Sequence, residues 1–170
     1  MHRSGIEIER KYIIRMPDLS ELCLMPEYTV SQIEQIYLES PLGETLRIRR
    51  REYQGKTEYI ETRKIRIDKM SSEEIERSIT HEEYEALSAG MAQGTSPIIK
   101  ARHTFMYLGQ LFELDVYPQW KSTCIMETEL NDRDRAVELP ALIHIVREVT
   151  GEREYSNASM SLKFPIEDQL

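Results

Sequence analysis

The stretch Ile6-Glu7-Ile8-Glu9-Arg10-Lys11-Tyr12 decides how this chain is read. Apolar and charged residues alternate, and in a strand successive side chains point to opposite faces. Glu7, Glu9 and Lys11 therefore share one face, and Ile6, Ile8 and Tyr12 share the other. Carboxylates two residues apart stand roughly 7 Å apart along a strand. That spacing suits ligands of one or two hard cations, and a lysine on the same face can meet the anion that such a cation carries.

Outward from this stretch the chain supplies more strands of the same kind. Residues 5–14 form the first, ended by Pro17, with a short helix or turn over 17–27. Residues 28–39 alternate imperfectly and read as a strand. The runs 45–53 and 57–67 flank a hairpin turn at Gln54-Gly55-Lys56, and 73–79 is a short strand. Thr80-His81-Glu82-Glu83 is a capping box that opens a helix at about 81–89, with Tyr84 and Leu87 on one side. Residues 98–107 and 110–117 form a hairpin around Leu108-Gly109, and 123–131 is a further strand. Pro140 suits a first helical position and predicts a helix over 140–149, ended at Gly151. Asn157 is the expected cap of a last short helix reaching Phe164. Short connections imply antiparallel neighbours, and eight antiparallel strands close into a barrel without exposed edges. The expected class is α+β, mainly β: an eight-stranded antiparallel closed barrel with a few flanking helices, as one domain over 1–170.

One face of each strand carries the chemistry. The strands present Glu7, Glu9 and Lys11; Arg47, Arg49 and Arg51; Thr62, Lys64 and Arg66; Glu74 and Glu76; Lys100 and Arg102; Glu113 and Asp115; and Glu127 and Glu129. A charged alternate face is ordinarily the solvent side of an antiparallel sheet. Here most strands carry a single sign at i and i+2, which gains a solvent face nothing and destabilises neighbouring strands when like charges oppose. A closed barrel brings the acidic and basic rows together. Such a lumen needs ionic partners, and a polyanion with its metal ions provides them. Arg and Lys bind phosphate, Arg in bidentate fashion. Carboxylates with substrate phosphates bind Mg²⁺ or Mn²⁺. So many cations in line select a phosphate chain over a single phosphate.

Other chemistries lack their residues. There is no P-loop, no Gly-x-Gly-x-x-Gly and no nucleophile elbow. His2, His81, His103 and His144 are scattered. Strand alternation sends Arg50 away from Arg49 and Arg51, which splits the apparent basic patch. A net charge of −8 over 170 residues opposes nucleic-acid and anionic-membrane partners. Cys23 and Cys124 lie outside any Cys-x-x-Cys context. No apolar run reads as a signal peptide or approaches membrane-spanning length. The expectation is a reduced, cytoplasmic protein.

With these residues in place, the chain resembles the CYTH family, the triphosphate tunnel metalloenzymes. Glu7-Ile8-Glu9-Arg10-Lys11 matches that family's Glu-x-Glu-x-Lys signature. Arg47-Ile48-Arg49 resembles its Arg-x-Arg strand, Thr62-Arg63-Lys64 its Thr-x-Lys strand and Glu74-Ile75-Glu76 its Glu-x-Glu. Lys100-Ala101-Arg102 and Glu113-Leu114-Asp115 follow in the family order. Glu127-Thr128-Glu129 resembles the late acidic pair, and Glu148 to Gly151 with Tyr155-Ser156-Asn157 the C-terminal element. The loop at 68–72 lacks an expected glycine, and Arg51 lies beyond the usual arginine pair. Both departures bear on substrate choice and not on the fold. The resemblance implies a triphosphate tunnel that hydrolyses a triphosphate with a divalent metal or, in some members, cyclises ATP.

On this reading Lys11, Arg47, Arg49, Lys64, Lys100 and Arg102 grip a small-molecule triphosphate, and Glu7, Glu9, Glu127 and Glu129 hold Mg²⁺ or Mn²⁺. Glu9, Lys11 and Glu129 are the expected catalytic groups. Glu74, Glu76, Glu113, Asp115, Arg51, Arg66 and Lys163 are second-rank candidates. Inorganic tripolyphosphate is the expected substrate. The alternatives are thiamine triphosphate, an adenylyl cyclase of the related class IV type, and a non-catalytic polyphosphate-binding module. The apolar residues Ile6, Ile8, Leu46 and Ile48 face away from the lumen, so helices 81–89 and 140–149, or a second copy in a homodimer, should cover them.

Overall fold

The structure, a computed structural model, describes residues 2–170, with side chains from Gly5 onward. Nine strands form: β1 (His2–Arg15), β2 (Thr29–Leu38), β3 (Glu44–Tyr53), β4 (Lys56–Arg66), β5 (Ser71–Ser78), β6 (Ile98–Tyr107), β7 (Gln110–Val116), β8 (Thr123–Glu129) and β9 (Ile145–Glu148). The helices are α1 (Leu19–Leu22), α2 (His81–Ser88) and α3 (Asn157–Leu162). The strands lie in the order β5-β4-β3-β2-β6-β7-β8-β1-β9, and β1 also pairs with β5. This closes an eight-stranded antiparallel barrel with β9 as an extra strand.

The opening stretch makes the closure. Residues 2–8 of β1 pair with β5, and residues 9–15 pair with β8 on the other edge. Where β5 ends, Tyr12, Ile13 and Ile14 find partners in β9. Two-residue hairpins set the register of β3–β4 and β6–β7. Gln54 and Gly55 both have positive φ, as do Leu108 and Gly109, the combination that matches a hairpin turn to strand twist.

The expected helix over 140–149 does not form. Residues 140–143 make a turn closed by the Ile143 N–H donating to the Pro140 carbonyl at 2.9 Å, and Ile145–Glu148 is β9. The β-branched Ile145 and Val146 and the unpaired edge of β1 favour a strand there over a helix. The last helix is capped one residue earlier than expected: the Ser156 hydroxyl accepts from the Ser159 N–H, and the helix ends at Leu162 rather than Phe164. The capping box forms as expected, with the Glu83 N–H donating to Thr80 Oγ1 at 3.1 Å and the Thr80 N–H donating to Glu83 Oε2 at 2.7 Å. It seats α2 so that Tyr84 and Leu87 cover Ile36, Leu38, Leu46, Ile48 and Ile79. Ile6 is 69% exposed and covered by neither segment.

Two further apolar clusters position the lumen. Outside the barrel, Tyr12, Ile14, Phe105, Phe112, Leu114 and Met126 pack with Leu22 and Ile143. Inside one end, the lumen-facing residues Ile13, Tyr37, Ile98, Tyr117 and Ile125 pack with Val149, Tyr155 and Met160, forming an apolar floor below the charged rows. Gly151, with φ of +75°, lies so close to the 68–72 loop that a Cβ there would stand 2.8 Å from the Lys69 carbonyl oxygen. Only glycine meets both demands.

The C-terminal segment is latched beneath the floor. The Glu167 carboxylate accepts from the backbone N–H groups of Lys121, Ser122 and Thr123 and from the Ser122 and Thr123 hydroxyls. Trp120 Nε1 donates to the Pro165 carbonyl at 2.9 Å, and Phe164 packs edge-on against Tyr117 and Trp120. These hydrogen bonds hold the Glu167 carboxyl at about 2, led by the Lys121 N–H. A depressed carboxylate contributes stability above its unfolded pKa and loses it as pH falls through the folded value. Hydrogen exchange at Lys121–Thr123, read as protection relative to the intrinsic rate at each pH, is therefore expected to be well protected at pH 7 and to lose that protection between about pH 4.5 and pH 2. Glu167→Gln should accelerate it already at pH 7; unchanged exchange in that variant would show that the latch holds nothing.

Candidate active site in the barrel lumen

Alternation along each strand puts the predicted charged residues on the inward face. Register then sets their neighbours. Glu9 lies opposite Glu129 and Lys11 opposite Glu127. Arg102 lies opposite Asp115, Lys64 opposite Glu74 and Thr62 opposite Glu76.

One wall is a tight ionic network. Asp115, fully buried, accepts from Lys100 Nζ at 2.5 Å and from Arg102 Nε and Nη2 at 2.7 Å each. Arg102 also binds Glu113, and its Nη2 donates to Glu127 Oε2 at 3.1 Å. Glu127 completes the chain by holding Lys11 Nζ at 2.8 Å, with Glu9 at 3.8 Å from the same amine. Burial alone would neutralise these groups, but their partners outweigh it for most. Glu127 and Asp115 stay below the usual carboxylate range beside Lys11, Arg102 and Lys100, and Lys11 is raised by Glu127 and Glu9. Lys100 is the exception: burial, then Arg102, bring it down to about 8 against the pull of Asp115.

The other wall is looser. Arg47 stands 3.5 Å from Glu74 and Arg49 3.6 Å from Glu76. Lys64 bonds Glu74 at 2.7 Å and approaches Glu7 to 3.9 Å. The Thr62 hydroxyl donates to Glu76 at 2.9 Å. Arg51 comes no nearer than 4.0 Å to Glu58. The Nε groups of Arg47, Arg49 and Arg51 are buried without a hydrogen-bond partner. Burial, then Arg47 and Arg102, lower the Arg49 guanidinium to about 10. Burial, then Glu74 and Glu129, push the Glu7 carboxyl up to about 8. The lumen thus holds a surplus of positive charge along β3 and a surplus of negative charge around Glu7.

Two predicted residues lie apart from this constellation. Arg66 donates from Nε to the Asp68 carbonyl at 2.9 Å and from Nη2 to the Gly151 carbonyl at 3.1 Å, so it ties the loop at 68–72 to the C-terminal segment. Lys163 is exposed beyond α3. Conversely, β2 is an uncharged lumen stave that sequence reasoning passed over, with Ser31, Ile33, Gln35 and Tyr37 paired beside Lys100, Arg102, Arg47, Arg49 and Arg51. Gln35 Nε2 donates to the Tyr37 hydroxyl at 2.6 Å. The only signal in the sequence was the weak polar period of 31–37, without a charge to mark it. Tyr117, whose hydroxyl donates to Asn157 at 2.8 Å, was likewise hidden among apolar residues. Among the described residues, no three His, Cys, Asp or Glu side chains are already gathered as a metal cage, and no helix is long and apolar enough to cross a membrane.

A closed barrel with facing rows of carboxylates and cations defines a charge-lined tunnel. The CYTH domain model matches residues 5–161, and the chain belongs to that family. Its structure is similar to that of the inorganic triphosphatase NE1496, with a TM-score of 0.60 and 29% identity over 94% of this chain and 96% of that one. The PH1819 protein of Pyrococcus horikoshii is similar at a TM-score of 0.56 and 25% identity, over 75% and 80% of the two chains. A Bacillus halodurans protein provisionally named an adenylate cyclase shares the fold at a TM-score of 0.52 and 18% identity, over 76% and 82%. No curated protein matches the chain significantly.

Proposed function

We propose that this chain hydrolyses a linear triphosphate, inorganic tripolyphosphate first, inside the barrel and with a bound divalent cation, Mg²⁺ or Mn²⁺. The observation that supports this best is the pair of buried, unpartnered Nε groups on Arg47 and Arg49, successive rungs of one row. A buried donor left unmade costs about 1–3 kcal/mol, more when charged, and phosphate oxygens entering along the row would satisfy each one. The 29% identity to a protein described as an inorganic triphosphatase supports the same reading.

The residues present fit a cation by the chemistry of their donors. Glu7, Glu9 and Glu129 are hard oxygen ligands in an electrostatic surplus that leaves Glu7 reluctant to ionise, and a divalent ion there would relieve it. Substrate phosphates would supply the remaining oxygens, the usual way Mg²⁺ is held at phosphate sites. Glu127 is committed to Lys11 and Arg102, so it would join the ligand set only by exchanging those partners; orienting the two bases is its better role. The ion would supply charge neutralisation and a water of lowered pKa.

The chain's own groups do the rest. Arg47, Arg49 and Lys64 from one wall and Lys11, Lys100 and Arg102 from the other grip the phosphates, and pre-set positive groups stabilise charge as it spreads onto the transferred phosphoryl oxygens. Lys11 remains protonated beside Glu127 and Glu9, so it donates to a phosphoryl oxygen and does not act as a base. Glu9 and Glu129, facing each other across β1 and β8, are placed to orient the attacking water. The free thiols Cys23 and Cys124 fit a reducing, cytoplasmic setting.

The test is a substrate panel of tripolyphosphate, ATP and thiamine triphosphate with Mg²⁺ or Mn²⁺, reading phosphate and cyclic AMP. We expect tripolyphosphate to give phosphate and pyrophosphate at the highest kcat/KM, with loss in Glu9→Ala and Lys11→Ala. Cyclic AMP from ATP, or binding of tripolyphosphate with no turnover, would overturn the proposal.

A further inference from the structure

We propose that the tunnel has a fourth phosphate subsite at Arg51, so that linear polyphosphates longer than three units are substrates in their own right; the inference rests on the phosphate-gripping role given above to Arg47 and Arg49. Arg47, Arg49 and Arg51 stand at successive inward positions of β3. The first and third rungs are about 13 Å apart along the strand. A triphosphate joins its phosphorus atoms through only two P–O–P bridges, a span shorter than that row. A chain seated against the floor that satisfied Arg47 and Arg49 would leave Arg51 unused. A longer chain reaches it.

Arg51 carries the marks of an anion subsite rather than of a structural cation. Its Nε is buried and unpartnered, in the same state as the Nε of the two deeper arginines. The carboxylate paired with it, on Glu58, lies at 4.0 Å on a side chain 59% exposed, where an ion pair is weak. Its guanidinium stands 5.4 Å from the centre of the Tyr53 ring, which fixes the direction of the side chain and leaves its donors unspent. The β2 residue opposite it is Ile33, which cannot compete for those donors. Arg50, on the other face, is by contrast paired with Glu52. The rung therefore offers a fixed cation with free N–H groups at the open side of the row, the requirement for one more phosphate of the same chain.

The experiment compares tetrapolyphosphate with tripolyphosphate in the intact protein with Mg²⁺, measuring kcat/KM and KM for each in the wild type, Arg51→Gln and Glu58→Gln. Wild-type turnover of tripolyphosphate reports separately on the hydrolase reading; should the protein bind both chains without turnover, the same ratio is read from their dissociation constants. We expect Arg51→Gln to lower the tetrapolyphosphate-to-tripolyphosphate ratio about 10-fold, mainly through KM, and Glu58→Gln, which removes the competing carboxylate, to raise it. A ratio unchanged in Arg51→Gln, or lowered in Glu58→Gln, would overturn the subsite. Because the readout is a ratio between two substrates, a variant that is merely less well folded does not mimic the effect.

Discussion

Asp115→Asn is expected to lower the unfolding free energy by about 3–5 kcal/mol, the loss that follows when one partner of a buried ion pair is removed. Asp115 is fully buried and is the shared anion of Lys100 and Arg102. The amide keeps the shape of the side chain and removes its charge, so two cations would remain in the lumen wall, Lys100 without the carboxylate it pairs with and Arg102 with Glu113 and Glu127. Lys100, already brought down to about 8 by burial and Arg102, would shed its proton first. Urea denaturation at pH 7 measures the loss. A change below about 1 kcal/mol, the worth of an exposed pair, would show that the network is solvated and does not act as a wall.

Arg49→Met is expected to move activity and stability in opposite directions. Arg49 has a buried Nε without a partner, and its guanidinium is disfavoured by burial, then by Arg47 and Arg102. Its nearest carboxylate, on Glu76, lies at 3.6 Å. Replacing it with an apolar side chain of similar length relieves a buried charge that the protein's own groups compensate poorly. Removing a pre-set donor to a transferred group, however, costs about 10²–10³ in rate. We expect kcat/KM for tripolyphosphate to fall by about that factor, while the melting temperature stays level or rises. A variant that loses stability and keeps its activity would mean that Arg49 is a structural cation.

The contrast between these two residues explains what could be read from the sequence. The alternation of Glu7, Glu9 and Lys11 and the single-signed rows on later strands were enough to give the barrel and most of its lumen, because a period of two has one structural meaning. The capping box at Thr80 located α2 for the same reason: a local motif satisfied locally. The segment 140–149 was misread because its fate depends on a distant edge, the stretch of β1 that β5 leaves unpaired, and no local pattern encodes that vacancy. Nor did the sequence distinguish the tight wall around Asp115 from the loose wall around Arg49. That difference arises from register and depth, and it separates groups that hold the tunnel open from groups left for a ligand. Arg66 shows the limit of alternation: it sits in phase with Thr62 and Lys64, yet at the strand end its guanidinium turns to the carbonyls of Asp68 and Gly151.

The central claim is that the two walls form a single anion site and not a self-satisfied network of ion pairs. Its most direct test is titration calorimetry with a non-hydrolysable imido analogue of tripolyphosphate in Mg²⁺, with thermal unfolding followed in parallel. The account predicts one equivalent bound per chain and stabilisation of about 2.7 kcal/mol at a hundredfold excess over the dissociation constant, with both effects weakened by Arg49→Met. No heat and no shift in melting temperature would show that the charges of the lumen serve only one another.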